Sequence, residues 1–597
     1  MPALADRLQI PLALDQSFIE SLVREQVFSG PDNSVRINDN GTGCQFLVLR
    51  NPQVSIVAGQ VRLRTDAEAR AGRPVGNSCV LVMNWRGQLE FDQEARVGDD
   101  RKSVLLRTVS WRALSADGQT DTLSTTVGRW LERYLPLNLQ QTRISLVQPV
   151  AQLQGFLAEV VSAADAAQLN AVLDSVAVDS ISARGDVMTL TLGMQAPPAV
   201  AALAGAGNGL GALSAAQLVE LDSQLGALDA FITYTIKQLA ADPVPPATMA
   251  ALFDVLLDLR LELVDILASP RNAGPDPVRA QFVATWGRLM PILQELAAQQ
   301  ADHASALRYL SFIAAGDMLR VLDGLGPTAG IDLSTAGLRR LARLLAPGET
   351  ADPLQRDDAV DPALRRSLGF GEPLPPPADT SQTSWLDWLV KPAYAGNRPD
   401  VRTVQKLNNW VPKTADMKTY LPMVKGVLQY AVTEQLDATP MDRNFREVFR
   451  RLVFTAAWQE SCWRQFMAKN NKRMPLESGS GDIGMMQINP KVWRGFYETH
   501  GLKWDIVYNA RAGADILQHH MLNYAIAKGE HKTTGKTDNL ARSAYAAYNG
   551  GPRQYDRYRR RNAPAAGKKA DTLFYEKYRI FSSGNELGVQ QCFQGMP

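Results

Sequence analysis

Hydrophobic positions change their period several times along this chain. Residues 16–27 place Phe18, Leu22, Val23 and Val27 at helical spacing, and the texture then turns to alternation. Period-two runs occupy 44–49, 53–65, 79–92 and 103–112; one carries Cys79, Leu81, Met83 and Trp85 on one face and resumes at Leu89 and Phe91. Asn51-Pro52, Ala71-Gly72 and Arg86-Gly87 punctuate them, which predicts antiparallel strands separated at those residues. Segment 124–135 (Thr126, Trp130, Leu131, Tyr134) predicts another helix, and 176–194 (Val176, Val178, Ile181, then Val187, Thr189, Thr191) returns to strands. Residues 1–195 therefore read as an α+β domain with long antiparallel strands.

Small residues from Ala196 to Ala212 make a linker. After it, Ser214 and Gln217 are spaced as a capping box ahead of Leu218, Leu221, Leu225, Leu228, Ile232 and Leu239 on one stripe. Similar stripes run through 247–268, 277–300, 302–324 and 334–345, broken by Pro243, Pro245-Pro246, Pro270, Gly274-Pro275 and Gly326-Pro327. Residues 213–346 are thus an all-helical region. Residues 347–396, with Pro373, Pro375, Pro376 and Pro377 close together, predict an extended linker that Trp385 and Trp388 dock onto the domain at 397–597. The fold class is multidomain α+β.

At 597 residues the chain has room for three or four folding units. Hydrophobic content of 45% and charge of 21% are ordinary for a globular protein, and no run of about eighteen apolar residues exists to span a bilayer. The net charge of +2 hides an asymmetry: residues 397–597 hold 31 Lys and Arg against 18 Asp and Glu, and residues 1–396 hold 32 against 43. A basic C-terminal part suits an anionic polymer, whether nucleic acid, acidic membrane or peptidoglycan with free stem carboxylates, and an ordinary solvated surface gives the same count. The cysteines fall two and two, Cys44 with Cys79 and Cys462 with Cys592. An even number suits two local disulfides in an oxidising compartment, although four cysteines allow three pairings. The opening MPALADRLQIPLALDQ lacks a basic n-region, so no export signal is visible in it.

Candidate chemistry gathers in the basic part. A helical stripe runs Phe445, Val448, Phe449, Leu452, Ala456, and its next i+4 member is Glu460. Apolar neighbours disfavour an anion, so Glu460 is expected to carry a raised pKa, as a general acid near neutral pH needs. Downstream, residues 478–490 read SGSGDIGMMQINP, a Gly-dense loop expected to present backbone donors and Gln487 to a sugar ring; Asp482 within it is the candidate second carboxylate. Leu540, Ala544 and Tyr548 share a helical face that stops at Asn549 before Gly550-Gly551-Pro552. A phenol there can hold a buried carboxyl and an amide an N-acetyl group. A rim Glu, a tight turn and a core Tyr beside a capping Asn are the ordinary readings of the same three features. His519-His520 point apart on a helix and suit no metal, and no phosphate loop, Ser/His/Asp order or zinc spacing occurs, so neither metal nor cofactor is expected. Arg557, Arg559, Arg560 and Arg561 with Tyr555 and Tyr558 fit a basic wall for an anionic glycan, which leaves nucleic acid without support.

Taken in order, Gln459-Glu460-Ser461, then Ser478, Gly481 and Gly484-Met485-Met486-Gln487-Ile488, then Asn509 to Leu517 around Ala512-Gly513, then Ala546-Ala547-Tyr548-Asn549 with Gly551-Pro552 resemble the soluble lytic transglycosylase family, the lysozyme-like helical enzymes of bacterial cell walls. The resemblance spans roughly residues 440–580. It implies an all-α lysozyme-like fold for 397–597, peptidoglycan glycan strands as partner, no metal, and Glu460 as catalytic acid/base. Around the substrate it implies Ser461, Ser478, Gly484, Met485, Met486 and Gln487, with Tyr548 and Asn549 orienting acid and substrate. The implied reaction is cleavage of the MurNAc-GlcNAc β-1,4 bond to 1,6-anhydromuramyl products, in the periplasm or cell envelope. A muramidase using Asp482, or a non-catalytic peptidoglycan-binding scaffold, are the alternatives. One departure is the link CWRQFMAKNNKRMPLE at 462–477, longer than the family's. Separately, a helix followed by long strands and the Trp85-x-Gly87-x-Leu89 turn resembles bacterial tubular lipid-binding folds, which implies a lipid or envelope-protein partner through residues 1–346.

Overall fold

The computed structural model describes residues 7–16, 19–20, 23–24, 27–37, 43–75, 78–114, 142–145, 175, 177–184, 187–195, 214–240, 244–269, 277–299, 335–345, 352–355, 358–377 and 398–594. The helices expected at 124–135 and 302–324, the linker Ala196 to Ala212, and Trp385 and Trp388 lie outside these residues. The chain forms two compact units, residues 1–207 with 286–350 and residues 208–285 with 351–597.

The first unit is built on antiparallel sheet. Its strands are β1 (Arg7–Asp15), β2 (Ser34–Ile37), β3 (Gln45–Val57), β4 (Gln60–Val75), β5 (Ser78–Val97), β6 (Ser103–Leu114), β7 (Thr142–Ser145), β8 (Ala177–Arg184) and β9 (Val187–Gln195). β2 to β7 pair in chain order as a six-stranded sheet, and a second sheet has the order β1-β9-β8. The alternation of β4 shows how its two faces divide. Val61, Leu63, Ala67 and Ala69 are buried, while the intervening residues make cross-strand ion pairs: Arg62 to Asp92 at 2.7 Å, Arg64 to Glu90 at 2.7 Å and Glu68 to Arg86 at 3.0 Å. Glu90 is only 1% exposed. Burial pushes its carboxyl up, and the hydrogen bonds from Arg64 and Arg112 outweigh that push, leaving it below the ordinary 4.5.

The dipeptides expected to separate strands lie inside them. Asn51-Pro52 occupies a register shift in β3, Ala71-Gly72 another between β4 and β5, and β5 runs straight through Arg86-Gly87. A Cβ on Gly72 would stand 2.6 Å from the Val80 carbonyl oxygen, so this glycine permits close strand approach rather than reversing the chain. The reversal falls at Ala58 and Gly59, within the run 53–65, where φ values of 53° and 81° suit a two-residue hairpin turn. Sequence pattern also missed β1, an edge strand and hence a position that tolerates Pro11. A Cys44–Cys79 disulfide, with Cα atoms 5.6 Å apart, joins the beginnings of β3 and β5.

Helices α1 (Ala215–Leu239) and α2 (Pro246–Ala268) belong to the second unit, α3 (Pro277–Gln299) begins in it, and α4 (Thr335–Leu345) belongs to the first. The capping box forms: Gln217 N–H donates to Ser214 Oγ at 3.3 Å and Ser214 N–H to Gln217 Oε1 at 2.9 Å. Buried Asp229 of α1 binds Arg260 of α2 at 2.6 Å and Arg494 at 3.0 Å, so this helical hairpin is ion-paired to the chain just after the Gly-dense loop. The stretch expected as extended linker also packs here over its described part. Within α5 (Pro362–Ser367) the buried Arg365 donates to Asp515 at 3.0 Å, and Phe370 stacks on His519 with ring centroids 4.2 Å apart. Its proline content sets the extended backbone, and this buried anchor decides where it lies.

Beyond it come α6 (Val401–Asn408), α7 (Met417–Ala438), α8 (Arg443–Ser461), α9 (Thr499–Trp504), α10 (Ile506–His520), α11 (Glu530–Thr534), α12 (Asn539–Gly550) and α13 (Ala565–Ser582). Every residue of α10 is buried, which marks it as the core helix that the others enclose. The helical reading of this region holds with one addition. Part of the long link 462–477 is a hairpin, β10 (Phe466–Lys469) with β11 (Lys472–Pro475), turned by Asn470 and Asn471 at φ 53° and 57°.

Candidate active site

Asp442 opens α8 by accepting the Asn444 N–H at 2.9 Å. Val448, Phe449, Leu452 and Ala456 are buried, and the stripe ends on half-buried Glu460 in the last turn. The helix stops where Cys462 and Trp463 take left-handed φ values of 56° and 62°. Cys462 is disulfide-bonded to Cys592, with Cα atoms 6.1 Å apart, so this irregular cap is fixed to the C-terminal tail.

Glu460 Oε1 accepts a hydrogen bond from Tyr545 Oη at 2.8 Å. Tyr545 in turn lies flat on Phe574 of α13, centroids 4.1 Å apart. Burial pushes the Glu460 carboxyl up; the Tyr545 hydrogen bond opposes that, the charge of Asp482 adds to it, and Lys577 opposes it, with the outcome raised from 4.5 to about 7. Near neutral pH the group is therefore divided between acid and carboxylate. Lys577 donates to the adjacent Gln459 Oε1 at 2.6 Å, which places the amino group next to the acid along α8.

The donors of the Gly-dense loop are taken up within the protein. Gly484 N–H binds the Leu476 carbonyl at 2.8 Å, Gln487 N–H the Gly484 carbonyl at 3.2 Å, and Ile483 and Ile488 exchange a pair. Met485 N–H goes to Gln465 Oε1 at 2.9 Å and Met486 N–H to Asn509 Oδ1 at 2.8 Å. Even the Gln487 amide donates back to the Gly484 carbonyl, at 2.8 Å. The expectation of free backbone donors for sugar is thus corrected for residues 483–488. Gly484, at φ +75°, is obligatory, because a Cβ would collide with Gln465 and Asn509. Gln465 and Asn509 are the residues that shape this loop. Asn509 stood in the recognised motif without a role, and Gln465 sits in the unusual link. At the loop tip Gly479 and Ser480 are exposed.

Other expected residues take these places. Ser461 is buried and donates to the Met485 carbonyl at 2.6 Å, so it fastens α8 to the loop. Asp482 accepts from Ser478 Oγ at 2.7 Å, Ser480 Oγ at 2.6 Å and Asn489 Nδ2 at 3.0 Å, which makes it the closure of its own turn. Tyr548 does not reach Glu460; its Oη donates to the Met486 carbonyl at 2.5 Å, and the phenol on the acid belongs to Tyr545, one helical turn earlier on the same face. Asn549 is exposed, with Oδ1 accepting from Arg557 at 3.0 Å. Of the expected basic wall, Arg557 is buried against Asp571 at 2.8 Å, and the partly exposed Arg559 and Arg560 pair with Glu530 at 2.7 Å and Asp556 at 3.0 Å. Arg557, Arg559 and Arg560 are thus tied to carboxylates around α12, while Arg561 is exposed.

Asp442, the acid, the loop and both tyrosines follow one another in a single stretch of chain. Residues 442–571 match the transglycosylase SLT domain. The SLT family comprises lytic transglycosylases, which act on peptidoglycan in the bacterial envelope. Phe574, Lys577 and Cys592 lie beyond the matched SLT segment, and its 130 residues leave the rest of the chain outside the resemblance. Comparison with curated proteins and with solved structures gives no match. Among the described residues no helix is long and apolar enough to cross a membrane, and no group of His, Cys, Asp or Glu forms a metal-binding cluster.

Proposed function

We propose that the SLT segment cleaves the MurNAc-GlcNAc β-1,4 bond of peptidoglycan without water and leaves 1,6-anhydromuramyl ends, with Glu460 as its single acid and base. The carrying observation is one carboxyl raised to about 7 beside a second, Asp482, whose two oxygens are occupied by Ser478, Ser480 and Asn489. Paired-carboxylate glycosidases need a second group to hold a water or attack the sugar. Here protonated Glu460 gives its proton to the glycosidic oxygen as the bond to the anomeric carbon breaks, and the substrate's own 2-acetamido carbonyl supports the cationic carbon. The resulting carboxylate takes the proton of the muramyl 6-hydroxyl, whose oxygen closes the 1,6-anhydro ring. Glu460 ends as it began. Tyr545 orients the acid, and the exposed Gly479, Ser480 and Asn549 border the glycan.

The place of action is the periplasm or cell envelope, and residues 1–346 hold the SLT segment there. Muropeptides released from purified sacculi by the full chain, read by mass spectrometry, test the chemistry. Anhydro ends support it. Reducing ends alone would assign a muramidase that uses Asp482, and glycan binding without release would assign a scaffold.

A further inference from the structure

Strands β4 and β5 reach beyond their neighbours. β3 pairs with β4 only as far as Ala71, and β6 pairs with β5 only from Gln88, so Gly72–Val75 and Ser78–Leu81 pair with each other alone among the described residues. Within or just below this two-stranded finger Val75 is 61% exposed, Val80 57%, Leu81 44% and Val82 71%. Cross-strand partners share a face and successive residues alternate, so Val75 and Val80 lie with Arg73 on one side and Leu81 on the other, while Val82 is the extra residue of the bulge opposite Ala71-Gly72. A partner that covers one face of a sheet leaves such a finger half uncovered. An apolar layer that surrounds it does not.

Charge selects the layer. From Ala69 to Leu89 there is no Asp or Glu, while Arg70, Arg73 and Arg86 are present, although residues 1–396 as a whole carry more acidic than basic residues. Arg70 and Arg86 reach Glu68 at the finger's root, and Arg73 is exposed near its tip. Apolar side chains with an exposed arginine beside them, in a stretch without acidic residues, match the boundary between acyl chains and anionic headgroups. Strand addition by a protein is disfavoured along the outer edge of β4, where Arg73 and Pro74 stand. The finger's outer edges, unpaired among the described residues, also set the depth, because bare N–H and C=O groups are not tolerated in the hydrocarbon centre. The Cys44–Cys79 bond ties the finger to the beginning of β3.

We propose that the β4–β5 finger docks the protein on an anionic phospholipid surface by shallow insertion of Val75, Val80, Leu81 and Val82. This is independent of the chemistry at Glu460. Co-sedimentation of the full chain with phosphatidylglycerol-containing vesicles and with pure phosphatidylcholine vesicles tests it, with a Val80→Ser, Leu81→Ser, Val82→Ser triple variant alongside and circular dichroism to check its fold. Binding is expected to the anionic vesicles, weakening as salt is raised, with the triple variant partitioning about tenfold less. Arg73→Glu is expected to weaken binding while keeping every apolar side chain. Absence of binding, or equal binding by the folded triple variant, would overturn the proposal. A dimer in light scattering that the triple variant dissociates, with no vesicle binding, would overturn it in favour of a second copy of this chain.

Discussion

Two glutamates show what separates an acid from a structural anion. Glu90 in the sheet and Glu460 at the end of α8 both meet burial as the largest influence on their carboxyls. Glu90 has Arg64 at 2.7 Å, with Arg62 and Arg112 beside it, and stays below 4.5. Glu460 has a phenol at 2.8 Å, an acidic neighbour in Asp482 and one lysine that is itself bonded to Gln459, and rises to about 7. Desolvation alone therefore does not keep a carboxyl protonated near neutral pH; here the absence of an arginine partner lets it do so.

The largest expected effect is on Glu460 itself. Glu460→Gln removes the proposed proton donor and is expected to lower the rate of muropeptide release by about a thousandfold. Because its folded pKa lies above the unfolded one, Glu460 costs stability increasingly as pH rises from 4.5 through about 7. The same variant is therefore expected to gain on the order of 1–3 kcal/mol in a urea melt at pH 8, where a stability loss would contradict the burial argument.

Glu90→Gln should act in the opposite sense. It leaves three partly exposed arginines without their shared anion, and a loss on the order of 2 kcal/mol is expected for the sheet's unfolding transition, with muropeptide release unchanged. Its folded pKa is lowered, so that stability is present above 4.5 and is lost as pH falls below it. An acid-insensitive sheet would break the comparison.

Tyr545→Phe removes a hydrogen bond that favours the carboxylate. The alkaline limb of the rate profile, which falls as Glu460 loses its proton, is expected to move to higher pH, with kcat down about tenfold and KM nearly constant. Asp482→Asn has the smallest effect: it removes a like charge, so the same limb is expected to move to lower pH. A shift in the same direction for both variants would contradict the assignment of their influences.

Glu460 was legible because a helical stripe of five apolar residues ended on it, a local pattern. The donor on it was not, since Tyr545 and Tyr548 share a face of α12 and only contact with α8 or with the Met486 carbonyl tells them apart. Gln465 and Arg365 were invisible for a related reason: their partners Met485 and Asp515 lie 20 and 150 residues away. In the sheet, Asn51-Pro52 and Ala71-Gly72 carry the composition of turns but sit at register shifts, because long twisted strands use the same residues to bulge as short ones use to reverse.

The most direct test is a carbon-detected NMR titration of the two carboxyls in the full chain, assigned by Glu460→Gln and Glu90→Gln. A midpoint near 7 for Glu460 together with one below 4.5 for Glu90 is the expected result. A Glu460 midpoint at or below 4.5 would show that its site is no more acid-retaining than the arginine-paired one, and would contradict its role as proton donor.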